Sequence, residues 1–134
     1  MKLPKGATVA VADGEKLRLF RNGGDEGALA LSALPDPAIG GGNAGSGSRH
    51  QSSSANHDHG QSAEDGYAAG TAAFLNRQVM DKKIDALVVI AAPRTLGELR
   101  KHYHKQLESV LLRELAKDLT GHSLNEISTA VEHA

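Results

Sequence analysis

Between Arg94 and Lys105 the chain carries four fixed cations, Arg94, Arg100, Lys101 and Lys105, against the single carboxylate Glu98, with His102 and His104 flanking Tyr103. Guanidinium and ammonium groups at this density suit phosphate oxygens, and an exposed tyrosine among them can stack on a base. Free amides at the start of a helix following Thr95 would add a further anion contact beside Arg94. The segment is therefore a candidate RNA or anion site. The same spacing also describes a solvated helix face with Tyr103 turned inward beside Leu96 and Leu99.

Other chemistry-bearing residues are more scattered. His50, His57 and His59 lie near Asp58, and neutral imidazoles with a carboxylate suit zinc, copper or nickel. Their spacing matches no known zinc site, so no metal site is assigned. Asp13 is a carboxylate at a strand end, but as the first residue of Asp13-Gly14 it also serves a turn. Asp85 belongs at the opposite end of its strand from Pro93, so no carboxylate pair is expected to converge as a metal-dependent nuclease requires. Serine is abundant only in a Gly/Ser/His-rich stretch and lacks a nucleophile-elbow pattern. The absence of cysteine removes thiolate nucleophiles, disulfides and sulfur-ligated zinc. No catalytic residue and no cofactor are expected.

These residues need elements to hold them. Thr8 to Ala12 is a short apolar run ending at Asp13-Gly14, and Leu17 and Leu19 then alternate with Lys16 and Arg18, which reads as a hairpin. Asn22-Gly23-Gly24 marks a second turn, after which Ala28 to Leu34 continues as a third antiparallel strand. Residues 35–61 turn to Gly, Ser, Asn, Asp and His and read as a long loop. Ser62 with Asp65 forms a capping-box pattern, and Tyr67, Thr71, Phe74, Leu75 and Val79 share one face of a helix reaching about Met80. Ala86 to Ala91 is an unbroken apolar run, the pattern of a central strand covered on both faces. Pro93 ends it, and Thr95 with Glu98 suggests a second capping box. Leu107, Leu111, Leu115 and Leu119 recur every four residues, predicting one long amphipathic helix closed by Gly121. Ser123 with Glu126 starts a last helix bearing Leu124, Ile127 and Val131. The order predicts an α/β fold with a mixed four- or five-stranded sheet and helices packed on it.

At 134 residues the chain has material for one core, so 1–134 reads as one domain. Apolar residues form 40% of it but aromatics only 3%, which leaves the core to Leu, Val, Ile and Ala. A net charge of −1 offers no global field for nucleic acid or membrane, so such binding has to be local. Met1 to Gly6 lacks the pattern of a secretory signal, and no apolar run is long enough to span a bilayer. A cytoplasmic location without membrane insertion is expected. Oligomeric state has no signal in the sequence.

Val11-Ala12-Asp13-Gly14 with Leu17-Arg18-Leu19-Phe20, Arg49-His50 in the glycine-rich loop, Asp85 to Arg94 with Leu96-Gly97-Glu98-Leu99-Arg100, and Lys117-Asp118-Leu119-Thr120 occur in one order along the chain. Together they resemble the bacterial host attachment protein family. That resemblance implies a ribonuclease-H-like fold similar to the middle domain of archaeal and eukaryotic translation release factors. It also brings Arg49 and His50 into the candidate binding set. Release factors of this fold carry a Gly-Gly-Gln tip before a helix, and Gly60-Gln61 precedes the first predicted helix, with His59 in place of the first glycine. The fold it implies, together with the local basic cluster, leads to the expectation of a non-enzymatic binding protein that engages RNA or the ribosome through the basic helix and the 35–61 loop. Its alternatives are an accessory of host attachment acting through protein partners, and a release-factor-like hydrolase or metal-dependent nuclease.

Overall fold

The computed structural model describes residues 1–39 and 59–134, with 59–62 described by their backbone alone. Its first strand, β1 (Thr8–Ala12), is buried along its whole length and turns at Asp13 into β2 (Leu17–Asn22). The turn forms because Asp13 Oδ1 accepts the amides of Glu15 at 2.7 Å and Lys16 at 2.6 Å, the local bonding that makes Asp a turn former. A second antiparallel step adds β3 (Leu31–Ala33) through the register Phe20↔Ala33 to Asn22↔Leu31. Its turn admits only glycine at Gly24, where a Cβ would sit 1.9 Å from the Ala28 carbonyl oxygen. Buried Asn22 ties this corner together. Its Oδ1 accepts the Gly24 and Ala30 amides at 2.9 and 3.0 Å, and its Nδ2 donates to the Leu3 carbonyl at 3.0 Å.

Helix α1 (His59–Met80) then leads to β4 (Leu87–Ala91), which lies parallel to β1 with Thr8 opposite Leu87 and Ala12 opposite Ala91. After β4 come α2 (Pro93–Arg100), α3 (Lys105–Val110), β5 (Leu111–Ala116) and α4 (Leu124–Glu132). Among the described residues the sheet has the order β3-β2-β1-β4-β5 and is mixed, as expected, with β5 parallel to β4. One sheet face packs Ala10, Leu87 and Val89 against Ala72 and Leu75 of α1, Leu99 of α2 and Leu107 of α3. The opposite face packs Val9, Phe20, Val88 and Ile90 against Ile127 and Val131 of α4. Both crossovers step the same way along the sheet and lay their helices on one face, as a common crossover hand requires. No helix among the described residues is long and apolar enough to cross a membrane.

Three expectations are corrected. The leucines at 107, 111, 115 and 119 do not share one helix: α3 stops at Val110, and Leu111 adopts φ −77° and ψ 112° to open β5. A four-residue spacing fits both a helical turn and two strand repeats, and the free edge of β4 offers a ladder of backbone partners. A bulge opposite Leu87 and Val88 leaves Leu112 unpaired, so Leu111 and Leu115 point to opposite faces of the sheet. Secondly, α1 begins at His59, before Ser62, which places Ser62 inside the helix and out of the capping position. Thirdly, Thr95 does not cap α2. Pro93, whose ring presets a helical φ, occupies the first turn with Ala92 before it and no side-chain cap.

The Ser123 capping box is present, with the Ser123 hydroxyl accepting the Glu126 amide at 3.2 Å and Glu126 Oε1 accepting the Ser123 amide at 2.9 Å. Ser123→Ala is expected to cost about 1 kcal/mol in urea unfolding. Thr95→Ala, which removes no cap, should cost a few tenths at most, and equal losses at the two positions would contradict this assignment.

Candidate functional site

Because β1, β4 and β5 run parallel, their carboxyl ends meet at one edge of the sheet, bringing Asp13, Arg94 and Asp118 to the same side. Thr120 links the two carboxylates there. Its hydroxyl lies 2.7 Å from Asp13 Oδ2 and 3.1 Å from Asp118 Oδ1, and its single proton favours the shorter contact. Arg18 closes the arrangement by donating to the carbonyls of Thr120 at 3.0 Å and His122 at 2.9 Å while its guanidinium lies 5.0 Å from the Phe20 ring centre. The expectation that no carboxylates converge is thus corrected: Asp13 and Asp118 do, through a residue more than a hundred positions from the first. Partial burial pushes the Asp13 carboxyl up, but bonds from the Glu15 amide, the Thr120 hydroxyl and the Lys16 amide outweigh it and hold the pKa below its ordinary 3.8. Both oxygens of Asp13 are therefore engaged in holding the turn and the approach to α4. Among the described residues no three His, Asp or Glu side chains are grouped as metal ligands.

Tyr67 of α1 faces the same edge, and burial first, then the charges of Asp13 and Asp36, push its phenol up. Glu64, one turn earlier, lies against Gly14, where a Cβ would come within 2.6 Å of its Cγ. The start of α1 is thereby seated on the Asp13-Gly14 turn.

The predicted basic cluster occupies α2, the turn after it and the start of α3. Arg94 is exposed in the first turn of α2, and Lys105 is exposed at the start of α3. Neither has an ion pair among the described residues. Arg100 and Lys101 are engaged: Arg100 Nη2 sits 2.8 Å from Glu114 Oε1 on β5, and Lys101 Nζ sits 3.0 Å from Glu98 Oε1. Tyr103 packs against the α1-side core, with its hydroxyl beside the Glu114 carboxylate of β5. Burial first, then the neighbouring Glu114 charge, push the phenol strongly up, so it stays protonated. Arg49 and His50 lie outside the described residues, as does His57. Gly60 and Gln61 fall within the first turn of α1, where a loop had been expected.

The turn that carries His102 and His104 is held by a residue the sequence reading passed over. Asn76 of α1, 4% exposed, donates from Nδ2 to the His102 carbonyl at 2.9 Å and accepts the His104 amide on Oδ1 at 3.0 Å. A polar residue beside Leu75 and Val79 on a buried face is the signal that could have singled it out. Between α1 and this turn lies an open groove of about 600 Å³, lined by Ala69, Ala73, Arg77, Asp81, His102 and His104.

A family model described as bacterial archaeo-eukaryotic release factor family 12 matches residues 6–131, from the approach to β1 to the end of α4. The chain belongs to that family. No curated protein matches it. Membership accords with the α/β fold and supports the release-factor side of the resemblance seen in the hairpin, the central strand and Lys117 to Thr120; attachment to a host is not part of the match.

In this family member the carboxyl edge predicts a pH dependence of stability. The folded Asp13 carboxyl binds its proton more weakly than the unfolded one, so its stabilisation is complete above the ordinary value of 3.8 and is lost as pH falls through the lower folded value. Asp13→Asn should lower stability at neutral pH by about 1 kcal/mol, allowing for solvent screening of a partly exposed group, with the gap closing in acid. Urea titrations of both proteins across this range check it, and a pH-independent gap would show that the charge is irrelevant.

Proposed function

We propose that the protein is a non-enzymatic binding module that associates with RNA or the ribosome through the cationic surface of α2 and α3. The observation that carries this reading is the surplus of exposed cations there: Arg94 and Lys105 have no acidic partner among the described residues, while Arg100 and Lys101 keep side chains 56% and 68% exposed despite their ion pairs. Phosphate backbones bind such surfaces by displacing counterions, which needs no base contact and no catalytic group. Membership of a release-factor family supports a partner of this kind. The Tyr103 side chain, half-buried against the α1-side core, takes no part as a stacking platform in this reading. The hydrolase alternative would rest on Gly60 and Gln61, whose backbone lies within α1.

Sucrose-gradient sedimentation from gently lysed cells tests the proposal. Charge reversal is best made at Arg94 and Lys105, because Arg100→Glu would face Glu114 and disturb the α2–β5 contact. Salt-sensitive migration with ribosomal particles, lost in Arg94→Glu/Lys105→Glu, is expected. Migration of the parent at the top of the gradient in low and high salt would overturn the proposal and favour protein partners, such as an accessory role in attachment. Unchanged migration of the double variant would remove the assigned surface.

A further inference from the structure

We infer that the groove between α1 and the α2–α3 turn is a phosphate-contacting subsite for single-stranded RNA, anchored by Arg77. The inference rests on the RNA-binding reading above and adds a contact point on a third helix. Arg77 is exposed on the groove rim, and its guanidinium makes no ion pair or hydrogen bond among the described residues, although Asp81 lies one helical turn further on. A free guanidinium presents five donors in a planar fork matched to phosphate oxygens. His104 adds an imidazole whose ring is also uncommitted, while the His102 ring stands 3.6 Å from Glu98 Oε2. Lys105, exposed at the start of α3, follows His104 directly in the chain.

The remaining lining suits the rest of a nucleotide. Ala69 and Ala73 line it with small apolar side chains, and Met80, 56% exposed, adds a polarizable apolar one. Asp81 provides an acceptor for a ribose hydroxyl or an exocyclic amine. Such a lining couples an anion contact to an apolar face, which a bare phosphate would leave unused. The groove is also preorganised. Both hydrogen bonds of Asn76 hold the turn that carries the two histidines, so binding orders less chain than it would on a free loop.

Fluorescence anisotropy with a labelled single-stranded RNA of about 12 nucleotides tests the site. Arg77→Gln, at an exposed position, should weaken binding about tenfold and reduce the salt dependence of log K by about 0.7, the loss of one single-strand phosphate contact. Near-ultraviolet circular dichroism identical to the parent would show that the fold is kept. Parent-like affinity and salt slope in both Arg77→Gln and Arg77→Glu would overturn the inference. So would a parent that binds adenosine monophosphate but no RNA strand, since the groove would then take a free nucleotide. Normal RNA binding by the Arg77 variants, combined with loss of ribosome migration in Arg94→Glu/Lys105→Glu, would sink the groove alone. A parent that associates with neither RNA nor ribosomes would sink both readings.

Discussion

Parallel pairing of β1 with β4 leaves every side chain of both strands at most 1% exposed. Strands buried on both faces need cover on both, and the arrangement of the other elements follows from that need. Each fully buried Val, Leu or Ile contributes about 1.5–3 kcal/mol through removal from water. Among the described residues α1, α2 and α3 cover one face and α4, with Leu3 and Leu119, covers the other. Since the core contains almost no aromatic residue beyond Phe20, small side chains such as Ala68 and Ala72 bring α1 close to the sheet. That closeness positions the rim of the groove and the turn beyond α2.

Two asparagines connect this apolar frame to its polar surface. Asn22 fixes the corner between β2 and β3, and Asn76 fixes the turn between α2 and α3. Each satisfies backbone groups that would otherwise lack partners, which makes a buried amide favourable. The cations on and around α2 fall into two groups. Glu98 and Glu114 pair with Lys101 and Arg100, while Arg94, Lys105 and Arg77 have no ion pair among the described residues.

Much of the frame was legible because it depends on local pattern. The apolar run from Ala86 to Ala91 read as a central strand, and Asp13-Gly14 read as a hairpin turn. Where two structures share a period, the pattern was silent: the four-residue leucine spacing fits α3 as well as β5, and only the free edge of β4 and the bulge at Leu112 decide between them. Ser123 and Thr95 look alike in sequence, but a proline two residues before Thr95 starts the helix earlier. The candidate site was partly legible. Cations on α2 were visible as composition, whereas their partner Glu114 comes from a strand read as helix. The Asp13–Thr120–Asp118 contact and the Asn76 bonds join distant segments and have no local signature.

The central pair joins Thr8 to Leu87, so the two strands on which the core depends are separated by most of the first two-thirds of the chain. The β1–β2 hairpin, by contrast, closes across a turn of a few residues. Closing a long loop carries an entropic cost that is recovered only when the distant strand docks. The folding transition state should therefore contain the hairpin and the β1–β4 contact together, and the rate should be set by that encounter and not by helix formation.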